Sequence, residues 1–408
     1  MTEARRAIVC LSHLNWDPKL FQRPQQLMLR FSRSFDVLFV NEPSFGTFVR
    51  DLFRGEKQGH VRVNDRLTVL TPFGMPRVLM TYGWLRGWNR AAARLAVKRR
   101  MRRSGISRPV LWLYHPRFLD AAGKLGEDLL VYDCMDDFSS LLSGGEDQTR
   151  NLSDEEVLLA RADVAFAGGF QMAEPRKKIR ADLRVFPSAC DTNHFHKALA
   201  PETTIPADIR GIPSPILGYW GAIDERLDHD LLRRLAEENP DFSIVLLGPI
   251  VEHKVKDVSY LRSAKNVHWL GPKDYQSLPA YAKAFDICLN PFVLTRAGTS
   301  LSPTKTMEYL ASGRPVISTP IPDVVRFYQE VVRIAEGPRG FAEAARELLG
   351  SDSAEARQGR IQFTDGKTWD RTAGEMEGIV RELLARRGAA PSSVSADRGA
   401  PGAIAGAT

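Results

Sequence analysis

Residues 289–319, LNPFVLTRAGTSLSPTKTMEYLASGRPVIST, contain the side chains of this sequence that are best spaced to bind a charged ligand. Pro303 favours the start of a helix, so the backbone N–H groups between Ser302 and Lys305 are expected to lack partners within that helix. The start of a helix carries a partial positive charge and binds anions. Lys305 and Glu308 are spaced to share one helix face. The pattern predicts a cation that can meet a phosphate beside a carboxylate that can accept hydrogen bonds from two ribose hydroxyls.

Lys305 and Glu308 could also form a plain ion pair on a solvated helix, where such pairs contribute little. Their context favours a ligand site, because the predicted helix follows a buried strand and a polar loop and precedes Gly313. Gly218 and Gly221, in GYWGAI, lie at the end of another predicted strand. Glycine there lets the backbone approach a phosphate closely, and an ordinary tight turn is the alternative interpretation.

The elements that must position these residues follow from the alternation of short apolar runs with longer amphipathic stretches, which is typical of parallel α/β units. In the first half, strands are predicted at 7–13, 36–42, 67–72, 109–115, 129–133, 163–168 and 184–189, with helices near 20–33, 84–104 and 153–162. In the second half, strands are predicted at 215–223, 242–249, 266–271, 285–292 and 314–320, with helices at 227–238 and 302–312. The fold class is therefore α/β, with two Rossmann-like parallel-sheet domains.

The domain boundaries follow from changes in composition. We expect an N-terminal domain over 1–196, a proline-rich linker over 197–214 and a C-terminal domain over 215–366. Residues 367–387 form an amphipathic stretch that predicts a helix, which is expected to pack back toward the N-terminal domain. Residues 388–408 contain Gly, Ala, Ser and Pro with little apolar bulk and are expected to be a disordered tail.

Composition excludes several classes of protein. The chain has 408 residues, of which 43% are hydrophobic and 26% charged, so it is an ordinary globular sequence of about two domains. We find no apolar run long enough to span a membrane, no secretory signal and no GxGxxG, GxxxxGK[ST] or HExxH motif. Four widely spaced cysteines fit neither a metal site nor a disulfide scaffold and favour a reducing cytoplasm. They are Cys10, Cys134, Cys190 and Cys288.

The net charge of +7 comes from one segment. Residues 86–108 contain nine basic side chains and no acidic one. One interpretation is a helix that covers the sheet with solvated arginines and with four apolar residues facing inward, namely Trp84, Trp88, Ala92 and Leu95. The other is an element that binds an anionic membrane surface, since basic amphipathic helices with tryptophan bind lipid headgroups. Without a recognition motif, no nucleic-acid partner is expected.

SPTKTMEYLASGRPVIST resembles the nucleotide-sugar-binding segment of two-domain GT-B glycosyltransferases, the large retaining group related to family 4. LSHLNWDPKLFQRPQQL and LLVYDCMDDF resemble a bacterial subgroup that builds cell-envelope polysaccharides, including teichuronic-acid-type transferases. The resemblance runs from about residue 6 to residue 387. It implies two domains facing across a cleft and transfer of a sugar from a UDP- or GDP-sugar to a glycan or lipid-linked glycan. It further implies retention of configuration, no metal or other cofactor, and a location in the cytoplasm or at the inner face of the plasma membrane.

The resemblance also assigns donor-site residues. Glu308 matches the second glutamate of the family motif, which binds the donor ribose, whereas the first glutamate is replaced by Ser300. Lys305 matches a lysine expected to contact the diphosphate. The arginine that often follows the first glycine of this domain is Ala222 here, and Arg226 is the candidate replacement. A solvated loop arginine is the alternative. The remaining donor-site predictions are Gly221, Gly248, Pro291, Leu301 and Ser302.

The acceptor side is predicted from polar residues at the ends of N-terminal strands, where ligands of open α/β sheets bind. His115 is a candidate catalytic residue with Lys305 and Arg226, because its ring could face the transferred sugar. The other candidates are His13, Asn15, Asp17, Arg23, Asp133 and Asp136, with Asp137 beside the last. For each of them a cap, a turn or a satisfied polar side chain is an equally good interpretation. No general base is assigned.

Two other functions remain open. A related sugar-nucleotide epimerase or phosphorylase would need acid/base carboxylates or a cofactor lysine in the cleft, and neither pattern is clear. A non-catalytic protein that binds a nucleotide or glycan is kept open by Ser300, which replaces the missing glutamate.

Overall fold

The two predicted series of strands form two separate sheets. The computed structural model describes residues 6–17, 21–46, 49, 60–76, 79, 82–137, 146–255, 257–295 and 304–389. Within these residues the chain folds into two parallel-sheet Rossmann-like domains, as predicted.

The N-terminal sheet has the strand order β3-β4-β2-β1-β5-β6-β7-β8, in which all pairs are parallel except the edge pair β3–β4. The strands are β1 Ala7–Leu11, β2 Asp36–Val40, β3 His60–Arg62, β4 Leu67–Leu70, β5 Val110–Leu113, β6 Leu129–Cys134, β7 Val164–Ala167 and β8 Arg184–Val185. Most of them are continuous buried apolar runs, as expected of parallel strands covered by helices on both faces. The strand order reverses between β1 and β5, so their carboxyl ends, near Leu11 and Leu113, flank a crevice.

The C-terminal sheet has the order β11-β10-β9-β12-β13-β14 and is parallel throughout. Its strands are β9 Ile216–Trp220, β10 Ser243–Leu247, β11 Val267–Trp269, β12 Ile287–Asn290, β13 Val316–Ser318 and β14 Arg333–Ile334. The order reverses between β9 and β12. This sheet therefore has its own ligand crevice at the carboxyl ends of these two strands.

Helices cover both faces of each sheet. Those of the N-terminal half are α1 Arg23–Phe31, α2 Gly83–Arg103, α3 Glu146–Arg161 and α4 Phe170–Lys177. Those of the C-terminal half are α5 Thr192–Phe195, α6 Ala207–Arg210, α7 His229–Glu238, α8 Tyr260–Ser263, α9 Leu278–Ala284, α10 Thr304–Ala311, α11 Pro322–Tyr328, α12 Gly337–Ser351 and α13 Ala354–Thr364. The last helix is α14, Trp369–Ala389.

The last helix packs on the N-terminal domain, as predicted. Trp369, Met376, Val380 and Leu384 of α14 are buried in the same apolar core as α1 and the N-terminal strands. Asp370 adds an ion pair to Arg30, 3.0 Å away.

The chain crosses between the domains at a different place from the one predicted. Ala189 belongs to the N-terminal core and Cys190 to the C-terminal core. The return crossing runs beside the first, because the N–H of Trp369 donates to the carbonyl of Cys190 at 3.2 Å. The predicted linker, 197–214, instead packs on the C-terminal domain: Ile209 is buried there, and Lys283 donates to the carbonyl of Ala200 at 2.6 Å. Its prolines border short helices, with Pro206 at the N-cap of α6.

Helix α2 presents the opposite face from the one that the sheet-covering interpretation predicted. Trp84, Trp88 and Leu95 are 73%, 52% and 47% exposed. Leu85, Val97 and Met101 are buried instead, and the last two pack into the core against the N-terminal sheet. The helix has two apolar stripes, one with the tryptophans and one with Leu85, Val97 and Met101. The second stripe lacks tryptophan, so it allows the helix to approach the sheet more closely. The large aromatic side chains therefore lie on the surface.

Candidate active site

The crevice of the C-terminal domain is built around a backbone that only glycine can form. Gly221 follows β9 with φ +146°, and a Cβ added there would lie 2.2 Å from Cε of Lys305. The lysine side chain therefore runs directly over this turn. Gly248 follows β10 with φ +145°, and a Cβ there would lie 1.8 Å from the Gly221 carbonyl oxygen. Gly248 thus supports Gly221, whereas Gly218 leaves room for the Phe285 ring, 2.1 Å from its would-be Cβ.

Lys305 lies in the first turn of α10, partly buried. Burial lowers the pKa of its ammonium group; Arg226 lowers it further, and Glu308 and Asp224 act in the opposite direction. Nζ is 6.0 Å from the centroid of the Tyr219 ring. Among the described residues, no carboxylate forms a salt bridge with Lys305. A positive charge held in this way is stabilised by an incoming anion.

Glu308 lies one turn further along α10 and is held by an indole. Trp220 Nε1 donates to Glu308 Oε2 at 2.8 Å, and the carboxyl group is largely buried. Burial raises the pKa of Glu308, while the hydrogen bond from Trp220 and the charge of Lys305 oppose that shift. Lys305 and Glu308 thus form no surface ion pair, which excludes the alternative interpretation of their spacing.

The end of β12 completes this crevice. Asn290 is fully buried and its Nδ2 donates to Oγ1 of Thr306 at 2.8 Å, which fixes the start of α10 against the strand. Its Oδ1 has no hydrogen-bond partner within the described part of the chain. The carbonyl of Pro291 accepts from the Asp228 N–H at 2.8 Å, which fixes the loop after β12. The predicted donor residues Leu301 and Ser302, and Ser300 with them, lie outside the described residues.

Arg226 lies at the rim of the crevice and forms an ion pair with Asp224. Its Nε and Nη2 donate to the carboxylate of Asp224 at 2.6 to 3.1 Å. Burial alone would lower the pKa of Arg226, but the bonds to Asp224 outweigh it and the pKa is raised. The charge of Asp136, in the N-terminal domain, also raises the pKa of Arg226.

Opposite this crevice, the structure brings His13 and His115 together at the reversal point of the N-terminal sheet. Their ring centroids are 5.4 Å apart, and His13 Nε2 lies 3.7 Å from Asp136 Oδ2. Nδ1 of His115 accepts from the N–H of Arg117 at 3.1 Å, so the proton of the neutral ring is on Nε2. Burial, with the charges of Arg117 and His13, lowers the pKa of His115 to about 2. The ring is therefore neutral near pH 7 and can donate a hydrogen bond but is a weak base.

Other predicted acceptor residues hold the fold together. Arg23 and Asp133 are both buried and form an ion pair of 2.9 Å, with Arg23 also donating to the Phe186 carbonyl at 2.7 Å. They are unable to contact an acceptor, which corrects the prediction for both. A charged side chain buried this deeply is stable only when it is paired with an opposite charge, so Arg23 and Asp133 depend on each other. Similarly, Asp137 pairs with Arg176 at 3.2 Å.

Asn15 and Asp17 lie on the exposed loop after β1. Oδ1 of Asn15 accepts from the N–H of Glu42 at 3.0 Å, and its carbonyl accepts from Gln25 at 2.9 Å. Asn15 thus ties the loops after β1 and β2 together. Asp17 is exposed at the edge of the described loop.

The C-terminal domain is similar to a known protein family. Residues 215–351 match the family model described as Glycosyl transferases group 1. This part of the chain is a group 1 glycosyltransferase domain. It contains the crevice of Gly221, Lys305 and Glu308, and it begins at the predicted start of the C-terminal domain.

Among curated proteins, the chain is similar to a Bacillus subtilis (strain 168) protein whose name assigns it to teichuronic acid biosynthesis as a glycosyltransferase. The two are 26% identical over 259 residues, which is 60% of this chain and 64% of the relative's own length.

Solved structures share the fold at low identity. Sucrose-phosphate synthase from Thermosynechococcus elongatus superposes with a TM-score of 0.68 at 16% identity, over 94% of this chain and 100% of that one. The Anabaena protein HepE, in complex with UDP and glucose, superposes with a TM-score of 0.64 at 14% identity, over 92% of this chain and 99% of that one. The chain has the GT-B fold, and its predicted resemblance to GT-B glycosyltransferases is confirmed.

Two residues of the group 1 domain were missed by sequence reasoning. Trp220 anchors Glu308, and Asn290 anchors the start of α10. The only signal for Trp220 was its place before Gly221 in GYWGAI, and a tryptophan there equally indicates core. Asn290 was the one polar residue at the end of an apolar strand, which is a signal that could have been used.

The described residues contain neither a cluster suited to a metal ion nor a membrane-spanning helix. No group of three or more His, Cys, Asp or Glu side chains is arranged to hold a metal ion. No helix in the described part of the chain is both long and apolar enough to cross a membrane.

Proposed function

We propose that the protein transfers a sugar from a UDP- or GDP-sugar to a glycan or lipid-linked glycan acceptor in the synthesis of cell-envelope polysaccharide. We further propose that configuration is retained and that no metal is needed. The observation that carries the proposal is the course of Lys305 over the Gly221 turn, beside a Glu308 held by Trp220. A cation and a carboxylate at this spacing match the diphosphate and the ribose of a nucleotide sugar.

The donor site supplies charge where the leaving group needs it. Cleavage of the sugar–oxygen bond leaves the nucleoside diphosphate with extra negative charge, which fixed cations stabilise. Lys305 is already partly desolvated, so its interaction with the diphosphate is strong. Arg226 can add a second contact because its side chain is 29% exposed while it is paired with Asp224.

The acceptor side supplies hydrogen bonds. In our proposal, neutral His115 donates from Nε2 to a hydroxyl of the transferred sugar. His13 and Asp136 lie next to it and orient the attacking hydroxyl of the acceptor. Closure of the two domains would bring the acceptor hydroxyl to the donor and exclude water.

Sugar transfer is tested by incubating the protein with UDP- and GDP-sugars, with and without acceptor extract, and measuring release of UDP or GDP. Lys305→Ala and Glu308→Ala should each reduce turnover about 100-fold or more, since they remove charge contacts to the leaving group and the ribose. Lys265→Ala, an exposed lysine of the same domain, is the matched control and should keep full activity. Full activity of both site variants would refute the site assignment.

The same assay tests the finer points. Chelation by EDTA should leave turnover unchanged if no metal is needed, and NMR of the product should show the donor's anomeric configuration if it is retained. Nucleotide binding without turnover on any donor and acceptor would favour a non-catalytic binding protein, in keeping with Ser300 in place of the motif glutamate. Conversion of the donor sugar without transfer would favour an epimerase.

We also propose that α2 places the enzyme on the inner face of the plasma membrane. Its exposed stripe of Trp84, Trp88 and Leu95 continues into Arg99 and Arg102, and tryptophan beside arginine suits the interface of an anionic bilayer. Trp84→Ser with Trp88→Ser should abolish flotation with anionic liposomes without loss of stability. Unchanged flotation would refute it.

A further inference from the structure

The N-terminal domain contains a cavity that is separate from the donor site. It has a volume of about 530 Å³, begins at Leu11 and His115 at the ends of β1 and β5, and runs along α2. A second cavity of about 540 Å³ adjoins it and shares several of its lining residues. Together they lead from the predicted reaction centre to the side of the domain that carries the exposed tryptophans of α2.

The lining of these cavities is strongly basic. It carries seven basic side chains, which are Arg86, Arg90, Arg94, Arg117, Lys124, Arg150 and Arg161. Three acidic side chains line the same cavities, namely Glu42, Asp120 and Asp154. The excess is unusual for a cavity, because like charges facing one space repel each other unless an anion lies between them.

Ion pairs neutralise only part of this charge. Arg94 pairs with Asp120 at 2.9 Å, and Arg117 pairs with Glu42. Against the five remaining basic residues, which include Arg86, Arg90 and Arg150, the lining then offers only the carboxylate of Asp154. Arg150 and Arg90 lower the pKa of that carboxyl, although burial dominates and raises it. Within the described residues, none of these three arginines forms a salt bridge, so their guanidinium groups are available to a ligand.

We propose that this cluster, the arginine pocket formed by Arg86, Arg90 and Arg150, binds a phosphate or diphosphate group of the acceptor. The proposal rests on the proposed function, because it assumes that the cleft at His115 receives an acceptor. Guanidinium groups bind phosphate oxygens in a bidentate manner, so three of them around one cavity can hold a diphosphate. The hydroxyl to be glycosylated would then extend from the pocket toward His115.

The phosphate could belong to a lipid-linked acceptor or to a soluble sugar phosphate. Arg86 and Arg90 lie on the same helix as the exposed Trp84 and Trp88, which favours a diphosphate at the head of a lipid chain. Farnesyl diphosphate and glucose 6-phosphate are therefore used as probes beside inorganic pyrophosphate. Tighter binding of farnesyl diphosphate than of pyrophosphate would indicate the lipid source, and tighter binding of glucose 6-phosphate the soluble one.

Binding of pyrophosphate is measured by calorimetry in the full chain. Arg86→Gln/Arg90→Gln/Arg150→Gln should weaken it about tenfold or more, because three charge-assisted contacts are lost. Lys98→Gln/Arg99→Gln/Arg102→Gln removes the same charge from the distal part of α2 and should change it less than about twofold. Asp154→Asn removes the carboxylate from the pocket and should tighten binding about two- to fivefold, a gain that misfolding is unable to produce.

Lys305→Ala separates this pocket from the donor site, since pyrophosphate could also occupy the latter. Binding that is lost in Lys305→Ala but kept in the triple pocket variant would overturn the proposal. So would equal binding by the wild type and the pocket variant. Donor binding and donor hydrolysis should be unchanged in the pocket variant. If the wild type binds neither UDP nor GDP, the proposed function fails, while arginine-dependent pyrophosphate binding would still establish the pocket.

Discussion

The two crevices of the molecule lie at equivalent places in their sheets but are built differently. In the C-terminal domain, short contacts fix each group: Gly221 leaves room for Lys305, and Trp220 holds Glu308. In the N-terminal domain, His115 lines a wide basic cavity, and His13 and Asp136 lie beside it. A donor with a constant nucleoside diphosphate suits a rigid crevice, whereas an acceptor of variable length needs open space.

The same comparison separates polar groups that hold a domain together from polar groups that face the cleft. Arg23 and Asp133 follow or end elements next to the N-terminal crevice, yet both are buried and bonded to each other. His115 and Asp136 follow the same sheet and reach the cleft. Position at a strand end therefore identifies candidates, and those that already pair with each other inside the domain, as Arg23 and Asp133 do, cannot meet a ligand.

The largest effect is expected from Asp133→Asn, which leaves the Arg23 charge buried without its counter-ion. Unfolding free energy should fall by about 3–5 kcal/mol, because burial of an uncompensated charge is costly. Urea unfolding measures it. Nucleotide binding by the molecules that remain folded should be unchanged, since the pair lies away from the donor crevice. A loss below about 1 kcal/mol would place Asp133 among the cleft-facing groups instead.

Gly221→Ala should reduce transfer about 100-fold, because the new Cβ collides with the Lys305 side chain and the φ angle disfavours any other residue. The measurement is nucleotide release from the donor. Gly340→Ala, on α12 and with a Cβ that would meet only Ala335 at 3.8 Å, is the control and should retain activity. Normal turnover of Gly221→Ala would mean that Lys305 acts elsewhere.

His115 should make stability depend on pH. Its pKa is about 2 in the folded protein and near 6.5 when unfolded, so the unfolded state binds more protons below pH 6.5. Because of this difference, the free energy of unfolding should fall by about 2 kcal/mol as the pH drops from 6.5 to 5, and it should not depend on His115 above pH 6.5. His115→Gln should be less sensitive to acid by this amount in urea unfolding at the two pH values. Equal sensitivity would show that the ring protonates in the folded state.

Trp220→Phe is expected to have the smallest effect. It keeps an aromatic ring against Phe195 and Tyr309 but removes the N–H that Glu308 accepts. Nucleotide affinity should fall about tenfold, the value of a hydrogen bond to a charged group. Trp84→Phe, on the exposed face of α2 in the other domain, is the control and should bind the nucleotide normally. Equal affinities of wild type and Trp220→Phe would show that Glu308 needs no anchor.

The sequence predicted most of the sheet, and it did so for a physical reason. Parallel strands buried on both faces are continuous apolar runs, as in PVLWLYH, and all the predicted runs became strands. The short edge strands β3 and β14 were missed because they are brief and lie at sheet edges. Helix α2 was predicted with nearly correct ends but with the wrong face inward, since both of its stripes have helical spacing.

The site was predictable only where its groups are local in sequence. Lys305 and Glu308 share one turn of one helix, so their spacing was enough to place them together. Arg23 and Asp133 come from elements 110 positions apart, and one sequence contains no sign that they pair. The same holds for Trp220 and Glu308, and for the arginines of α2 and α3 that meet around one cavity.

Calorimetric titration of the protein with UDP and with GDP tests the central claim most directly, because it needs neither the sugar nor the acceptor. One of the two nucleotides should bind the wild type, and Lys305→Ala and Glu308→Gln should each bind it about tenfold or more weakly. Lys265→Ala should bind it normally. Binding of neither nucleotide, or binding that is unaffected by both site variants, would contradict the assignment of the donor site.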